Sequence, residues 1–475
     1  MVKKIDVAYL AKKIGEYMRN IILVDRELRF VDEIIKKHNI VLLIVDNYNQ
    51  KTKKYVESKF VKKICTVREL DSMSCMDNLN FEIINKYKHT QLAVENAYLR
   101  YTNDYQERKY RYYGALSFFA TIFQNNNVDL VIINGLLHGF PYDKVLNDMA
   151  IGNGIVSYTI NPIGVNAYNR FIYNEKISEM CLLNNKKIID MVEDYYKNDK
   201  LDVYSWGFQD DSSYSGKFGI LKKIIYNLFG AVGVDYVENR FNPKKNTYIA
   251  SSGFQNNWLD RFKSYYNYCL IKRYMEKKCD KSVDLKAKYI YFSLHYEPEG
   301  NTQIRCTLES QLVCIKQLSE NLPKDYFIYV KEHPHQFRIN KKLFYGCYAT
   351  NADNFKTKFF YKTLADMPGV VLVPSTYSAE KLMRNSKAVA SLLGSCFLEA
   401  VVMKKPILIF SELHPLVKAR ESLLCFSSSM VKKNLEMIKN GYNVKYYDVL
   451  DILNNYITPC EEDLINAVNK ILGKE

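Results

Sequence analysis

The chain has no C-x-x-C pair, no internal repeat, no low-complexity segment and no long apolar run. Each absence excludes a class of protein. A membrane-spanning helix needs roughly 18–20 apolar residues. The longest runs here, Ile40–Val45 and Val128–Ile133, are strand-sized, so a polytopic membrane protein is excluded. Solenoids and propellers need a period of about 20–50 residues, and none is visible. The 11 cysteines are odd in number and scattered. That excludes a disulfide framework or a zinc site with close ligand spacing and fits a reducing, cytoplasmic compartment. Most cysteines are expected to be small buried hydrophobes, Cys314 and Cys396 among them. G-x-x-x-x-G-K-[ST] is absent, against a P-loop NTPase, and H-E-x-x-H is absent, against a zincin. D-x-D is also missing, against metal-dependent, single-domain sugar transfer. Met1–Asp6 (MVKKID) leads into no apolar region, so no secretory leader is expected.

What is present describes a globular protein. Hydrophobic residues make up 48% and charged residues 25% of 475 residues, enough apolar surface to exclude an intrinsically disordered chain. At roughly 100–200 residues per domain, two to four domains are expected. The formal net charge of +15 implies an acidic partner: nucleic acid, an anionic membrane face or a phosphorylated substrate. The 39 tyrosines are attributed to compositional bias rather than to an aromatic binding surface.

The clearest organisation lies between Lys288 and Phe410. Tyr289–His295, Tyr326–Val330, Val370–Val373, Ala388–Leu393 and Pro406–Phe410 read as strands. Thr307–Glu320, Phe355–Met367, Ser378–Asn385 (with Ser378 as N-cap) and Cys396–Met403 read as the intervening helices. The strands are continuously apolar rather than alternating, the mark of a parallel sheet covered on both faces. The first part repeats the pattern more weakly, with strands Asn39–Val45, Val128–Ile133 and Gly154–Thr159 and helices Ile83–Tyr98, Gln106–Phe123 and Asp143–Ile151. Two Rossmann-like, doubly wound α/β domains are expected, at residues 1–175 and 286–455. Residues 176–285, with helical stretches Ile220–Gly230 and Trp258–Lys278, read as an insertion, and residues 456–475 as a terminal amphipathic helix, Cys460–Leu472.

In such sheets ligands bind beyond the carboxyl ends of the strands, and four clusters fall there. After the strand at Tyr289 come His295-Tyr296-Glu297-Pro298-Glu299-Gly300-Asn301. Two carboxylates in one turn can act as general base or nucleophile, or simply favour a helix N-terminus through its dipole. After the next strand come Lys331-Glu332-His333-Pro334-His335, which can bind phosphate or protonate a leaving group. Pro334 restricts His333 to an extended backbone. The alternative is a surface loop with incidental histidines. After Ala388–Leu393 come Gly394 and Ser395, a helix start able to hold phosphate, with Ser395 a candidate cap. Glu399 lies one turn on, where it can accept ribose hydroxyls or serve as an ordinary buried-face residue. In the first domain Asn134-Gly135-Leu136-Leu137-His138 follows a strand, and Asn161–Arg170 follows another. A lone His such as His138 is equally compatible with a structural role.

The segments YFSLHYEPEGNT, IYVKEHPHQF, MPGVVLVP, AVASLLGSCFLEA and KKPILIF, in this order, resemble the bacterial capsule polysaccharide biosynthesis glycosyltransferases, including the capsular Kdo transferases. The E-P-E-G and His-Pro pieces are also similar to motifs of bacterial sialyltransferases. The resemblance implies a GT-B fold, two Rossmann-like domains facing a cleft, with an N-terminal acceptor domain and a C-terminal donor domain. It implies transfer of a CMP-activated 2-keto sugar, Kdo or a nonulosonate, to an oligosaccharide or lipid-linked glycan, with no metal and no cofactor beyond the nucleotide-sugar donor. Carried over residue by residue, Glu299 is the catalytic carboxylate, His333 contacts cytidylate or phosphate, Ser395 phosphate and Glu399 ribose. Glu297 and His138 complete the catalytic candidates. His295, Asn301, Lys331, Pro334 and Gly394 complete the donor-binding set. Relatives often have Gln where this chain has Glu297, which leaves open which glutamate does the chemistry. The alternatives are a UDP- or GDP-linked donor, a phosphoryl-type transfer, or a non-catalytic polysaccharide-binding assembly protein. No nucleic-acid motif accompanies the dispersed lysines. Lys51–Lys63 and Lys263–Lys281 are candidates for contact with anionic lipid at the inner membrane face, the alternative being a solvated surface.

Overall fold

The structure is a computed structural model. It describes residues 18–46, 48–71, 76–100, 102–135, 141–162, 170–176, 179–181, 258–280, 282–297, 306–333, 336–337, 354–458 and 460–473. The chain divides into two compact units. The first comprises Met1–Val94, Lys109–Ile188 and Asn455–Glu475, the second Glu95–Arg108 and Ile189–Asn454.

The first unit is built on a seven-stranded sheet of order β3-β2-β1-β4-β5-β6-β7. Its strands are β1 (Asn20–Val24), β2 (Asn39–Val45), β3 (Ile64–Thr66), β4 (Leu130–Asn134), β5 (Val156–Pro162), β6 (Arg170–Asn174) and β7 (Glu179–Met180). The first five run parallel; β6 returns antiparallel to β5, and β7 antiparallel to β6. β1, β2 and β4 (NIILV, NIVLLIV, LVIIN) are almost wholly buried, as central parallel strands with both faces covered must be. The terminal helix Glu461–Ile471 places Leu464, Ala467, Val468 and Leu472 in the core beside Ile21, Leu23, Leu43 and Leu130.

The second unit has six parallel strands in the order β10-β9-β8-β11-β12-β13. They are β8 (Lys288–Ser293), β9 (Tyr326–Lys331), β10 (Val370–Val373), β11 (Ala388–Ser391), β12 (Ile407–Ile409) and β13 (Leu423–Leu424). Numbered within the unit, this is 3-2-1-4-5-6, the order of dinucleotide-binding folds. The expected pair of Rossmann-like, doubly wound α/β units is thus present. The Tyr289 and Tyr329 rings, diagonal neighbours two residues apart in register on adjacent strands, stack at 4.1 Å.

Helix ends follow side-chain chemistry. The expected helix Thr307–Glu320 begins only at Gln311, because Ser310 caps it and the Thr307 N–H is taken by Glu412 at 2.9 Å. Likewise Phe355–Met367 shortens to Lys358–Asp366, capped by Thr357. The single helix expected over Ile83–Tyr98 is two, Phe81–Lys86 and Lys88–Tyr98, broken at Tyr87, whose carbonyl accepts the Tyr112 hydroxyl at 2.8 Å. The helix Trp258–Lys278, read from sequence as part of an insertion, packs on the second sheet through Ile271, Met275 and Cys279. The stretch Ile220–Gly230 lies outside the described residues. Cys314 is fully buried as expected, whereas Cys396 is only partly so. Among the described residues no helix is long and apolar enough to cross a membrane.

Candidate functional site

In the second unit the direction of strand progression reverses between β8 and β11, which pair directly. Ligands of open α/β sheets bind beyond the carboxyl ends of the strands at such a switch point. His295 lies two residues past β8, Lys331 ends β9 with His333 just beyond, and Gly394 and Ser395 follow β11. The strand ends are tied together. The Leu294 N–H donates to the Lys331 carbonyl at 3.0 Å, and the Ser391 hydroxyl donates to the Ser293 carbonyl at 2.8 Å. Gly394 has φ +157°, a backbone conformation that side chains disfavour, and a β-carbon there would lie 3.4 Å from His295 Nε2. Glycine at 394 therefore lets the imidazole pack against the backbone. The His333 and Tyr296 rings lie 6.1 Å apart, joining the turns after β8 and β9.

Beneath these turns is a buried polar network. Lys356 Nζ donates to Glu332 Oε1 at 2.6 Å and to the His295 carbonyl. Tyr361 donates its hydroxyl to Glu332 Oε2 at 2.6 Å, and the His333 N–H donates to Glu332 Oε1 at 2.7 Å. One carboxylate therefore fixes the turn after β9, and one ammonium joins it to the turn after β8. Neighbouring Glu297 has its carboxylate bonded to Gln311 at 2.8 Å and its backbone paired with Gln336. Tyr296 and Phe337 both pack against Tyr268 of the helix Trp258–Lys278, so that helix supports the turn.

Two groups at the strand ends have displaced proton affinities. Burial pushes the Glu399 carboxyl up to about 7, with the Lys331 charge opposing and that of Glu380 adding. Burial lowers His414 to about 3 against the pull of a hydrogen bond to the Gly394 backbone, with nearby His295 lowering it further. His414 Nδ1 accepts the Leu416 N–H at 3.2 Å, and its ring meets that of Phe397 edge-on at 5.0 Å. A neutral imidazole thus braces the glycine turn from within. Ser395 departs from its expected role: its backbone is helical and its side chain makes no capping bond. A cap needs an extended residue whose hydroxyl reaches back to the first free N–H groups, and the Gly394 turn brings Ser395 in already helical.

Glu299, Asn301, Pro334 and His138 lie outside the described residues, as does most of the 161–170 loop. Among the described residues no group of three or more His, Cys, Asp or Glu is placed to hold a metal ion.

No protein-family model matches the sequence, and no curated protein matches it. Solved structures to which this chain is similar include the KpsC β-Kdo 2,7-transferase of Thermosulfurimonas dismutans, 10% identical over 83% of this chain and 97% of that one, TM-score 0.28. They also include a UDP-forming α,α-trehalose-phosphate synthase of Burkholderia xenovorans (10%, 96% and 97%, TM-score 0.31). A third is the UDP-GlcNAc 2-epimerase of Methanocaldococcus jannaschii in complex with UDP-GlcNAc and UDP (11%, 97% and 100%, TM-score 0.28). The architecture rests on the strand order and register above, not on these likenesses.

The first sheet repeats the plan at its own switch point. Arg26, two residues past β1, donates to Asp143 at 2.6 Å and lies 3.5 Å from Asp46. A β-carbon on Gly135, which has φ +132° just past β4, would lie 3.6 Å from Arg26 Nη1. Asp25 is fully buried, accepting from the Phe30 N–H at 2.8 Å and from Asn134 at 2.9 Å. Sequence reasoning missed Arg26 and Asp143 because it did not read Asn20–Val24 as a strand. It missed Lys356, Gln311 and His414 because each reaches the site from elsewhere in the chain, and Gln336 because nothing in the His-Pro segment marks it out from other polar residues. Glu332 stands within the Lys331–His335 cluster, but no role was read for it from the sequence.

Proposed function

We propose that the chain is a glycosyltransferase of bacterial surface polysaccharide synthesis, and that its second unit binds a nucleotide-sugar, CMP-linked, at the ends of β8, β9 and β11. The observation carrying this reading is the gathering of His295, Lys331, His333 and the Gly394 turn at the switch point of a 3-2-1-4-5-6 sheet. Cations and imidazoles placed there suit a leaving phosphate that gains negative charge as the sugar–phosphate bond breaks. Glu399 is assigned to the ribose and Ser395 to phosphate. In the transfer step Glu299 takes the proton of an acceptor hydroxyl, the freed oxygen bonds to the anomeric carbon, and the nucleotide leaves with the electrons of the broken bond. The acceptor is an oligosaccharide or lipid-linked glycan. The basic surface, including exposed Lys51, Lys53 and Lys54, serves acidic glycan and anionic lipid.

The test is calorimetric titration with CMP, UDP and GDP, followed by transfer assays with the nucleotide-sugar whose nucleotide binds. CMP is expected to bind most tightly, and Glu299→Gln to lose about 10²–10⁴-fold in turnover. Binding of none of the three nucleotides defeats the reading. Preference for UDP or GDP moves the donor class without moving the site.

A further inference from the structure

The turn that leaves β8 is held by two glutamines distant in sequence. Gln311, 2% exposed at the start of its helix, uses both ends of its amide. Its Oε1 accepts the His295 N–H at 2.7 Å, and its Nε2 donates to Glu297 Oε1 at 2.8 Å. Gln336, also 2% exposed, closes a second pair. It accepts the Glu297 N–H and donates to the Glu297 carbonyl, both at 2.8 Å. Glu297 itself is 8% exposed. Its N–H, its carbonyl and one carboxylate oxygen are thus all engaged by buried amides.

A general base presents its carboxylate to a substrate hydroxyl and takes up a proton in each turnover. A carboxylate turned onto a buried amide is suited to holding geometry instead, because leaving the amide without its partner costs the whole desolvation of that group. We infer that Glu297 is a positioning residue, and that Gln311 sets the catalytic turn by tying His295 and Glu297 to one buried amide. The residues so fixed, 295–297, run two positions ahead of Glu299, so any slack in them displaces the group assigned to the chemistry. The importance of the turn rests on the transferase reading; the clamp does not. An amide at position 297 still offers an oxygen to Gln311, whereas a methyl group offers nothing.

The experiment uses the full chain and two readouts: steady-state transfer from the CMP-linked sugar, and hydrogen exchange at the His295 amide. Glu297→Ala and Gln311→Ala are each expected to lose about 100-fold in kcat, the cost of a misplacement near 1 Å, with KM for the donor changed little. Glu297→Gln is expected to recover most of the Glu297→Ala loss and to keep the wild-type pH profile. Gln311→Ala is expected to speed exchange at His295, since its partner is gone, while the Glu297 amide, held by Gln336, stays protected. Glu297→Gln as inactive as Glu299→Gln overturns the inference by making Glu297 the base. Unchanged His295 exchange in Gln311→Ala overturns the clamp. If the wild type transfers no sugar, the proposed function fails while His295 exchange still decides the clamp. Should Gln311→Ala not fold, Gln311→Glu keeps the acceptor for His295 and sets a second carboxylate against Glu297. Its turnover is then expected to recover as pH falls and the pair shares a proton; a pH response like the wild type's also overturns the clamp.

Discussion

The Lys356 ammonium lies 2.6 Å from the Glu332 carboxylate, and both side chains are 2% exposed. Removing one member of such a pair leaves an uncompensated buried charge, which costs about 3–5 kcal/mol. Lys356→Met is therefore expected to destabilise the chain by about that amount in denaturant unfolding. Adding Glu332→Gln should return part of the loss, since the stranded charge goes with it. A single variant as stable as wild type would show that the ion pair holds nothing.

Glu399 offers a pH signature. Its folded carboxyl binds a proton up to about 7, against an ordinary 4.5, because burial disfavours the anion. A raised folded value means that its favourable share of stability is present below about 4.5 and lost as pH rises through about 7. The wild type is expected to lose more melting temperature between pH 5 and 8 than Glu399→Gln does. Parallel profiles for the two proteins would refute it.

His414 has the opposite sign. Held neutral down to about 3 by burial, it contributes stability above about 6.5 that drains away as pH falls toward 3. Its imidazole is expected to show no titration between pH 5 and 8 in nitrogen-15 spectra, with Nδ1 unprotonated because it accepts from Leu416. A midpoint near the ordinary histidine value would contradict this placement.

Gly394→Ala tests the contact between the strand ends. The new methyl would sit 3.4 Å from the His295 ring on a backbone that side chains rarely adopt. A cost of about 1–3 kcal/mol is expected from the backbone alone. The methyl itself makes only ordinary contact with the ring, so nucleotide affinity should fall in calorimetry through the shifted backbone of the turn. Full affinity with lowered stability would separate the turn from the ligand site.

Much of the fold was legible because continuous apolar runs have few ways to be buried. β10, β2 and the helix Ala379–Asn385 stand where the sequence placed them, the last stopped and started by its own chemistry, with Ser378 capping Lys381 N–H. β1, Asn20–Val24, was not read as a strand from the sequence. It became an interior strand of the sheet through pairing with β2 and β4.

The sequence by itself determined which chemistry stands at the strand ends. His295, Lys331, His333, Gly394 and Glu399 follow apolar runs at once, and a parallel sheet delivers whatever follows its strands to one edge. Only the tertiary structure decided which groups hold the strand-end residues in place. Lys356, Gln311, Gln336 and His414 look like any polar residue along the chain. What makes them supports is burial beside a group that cannot be left without a partner, and burial is a property of packing, not of spacing.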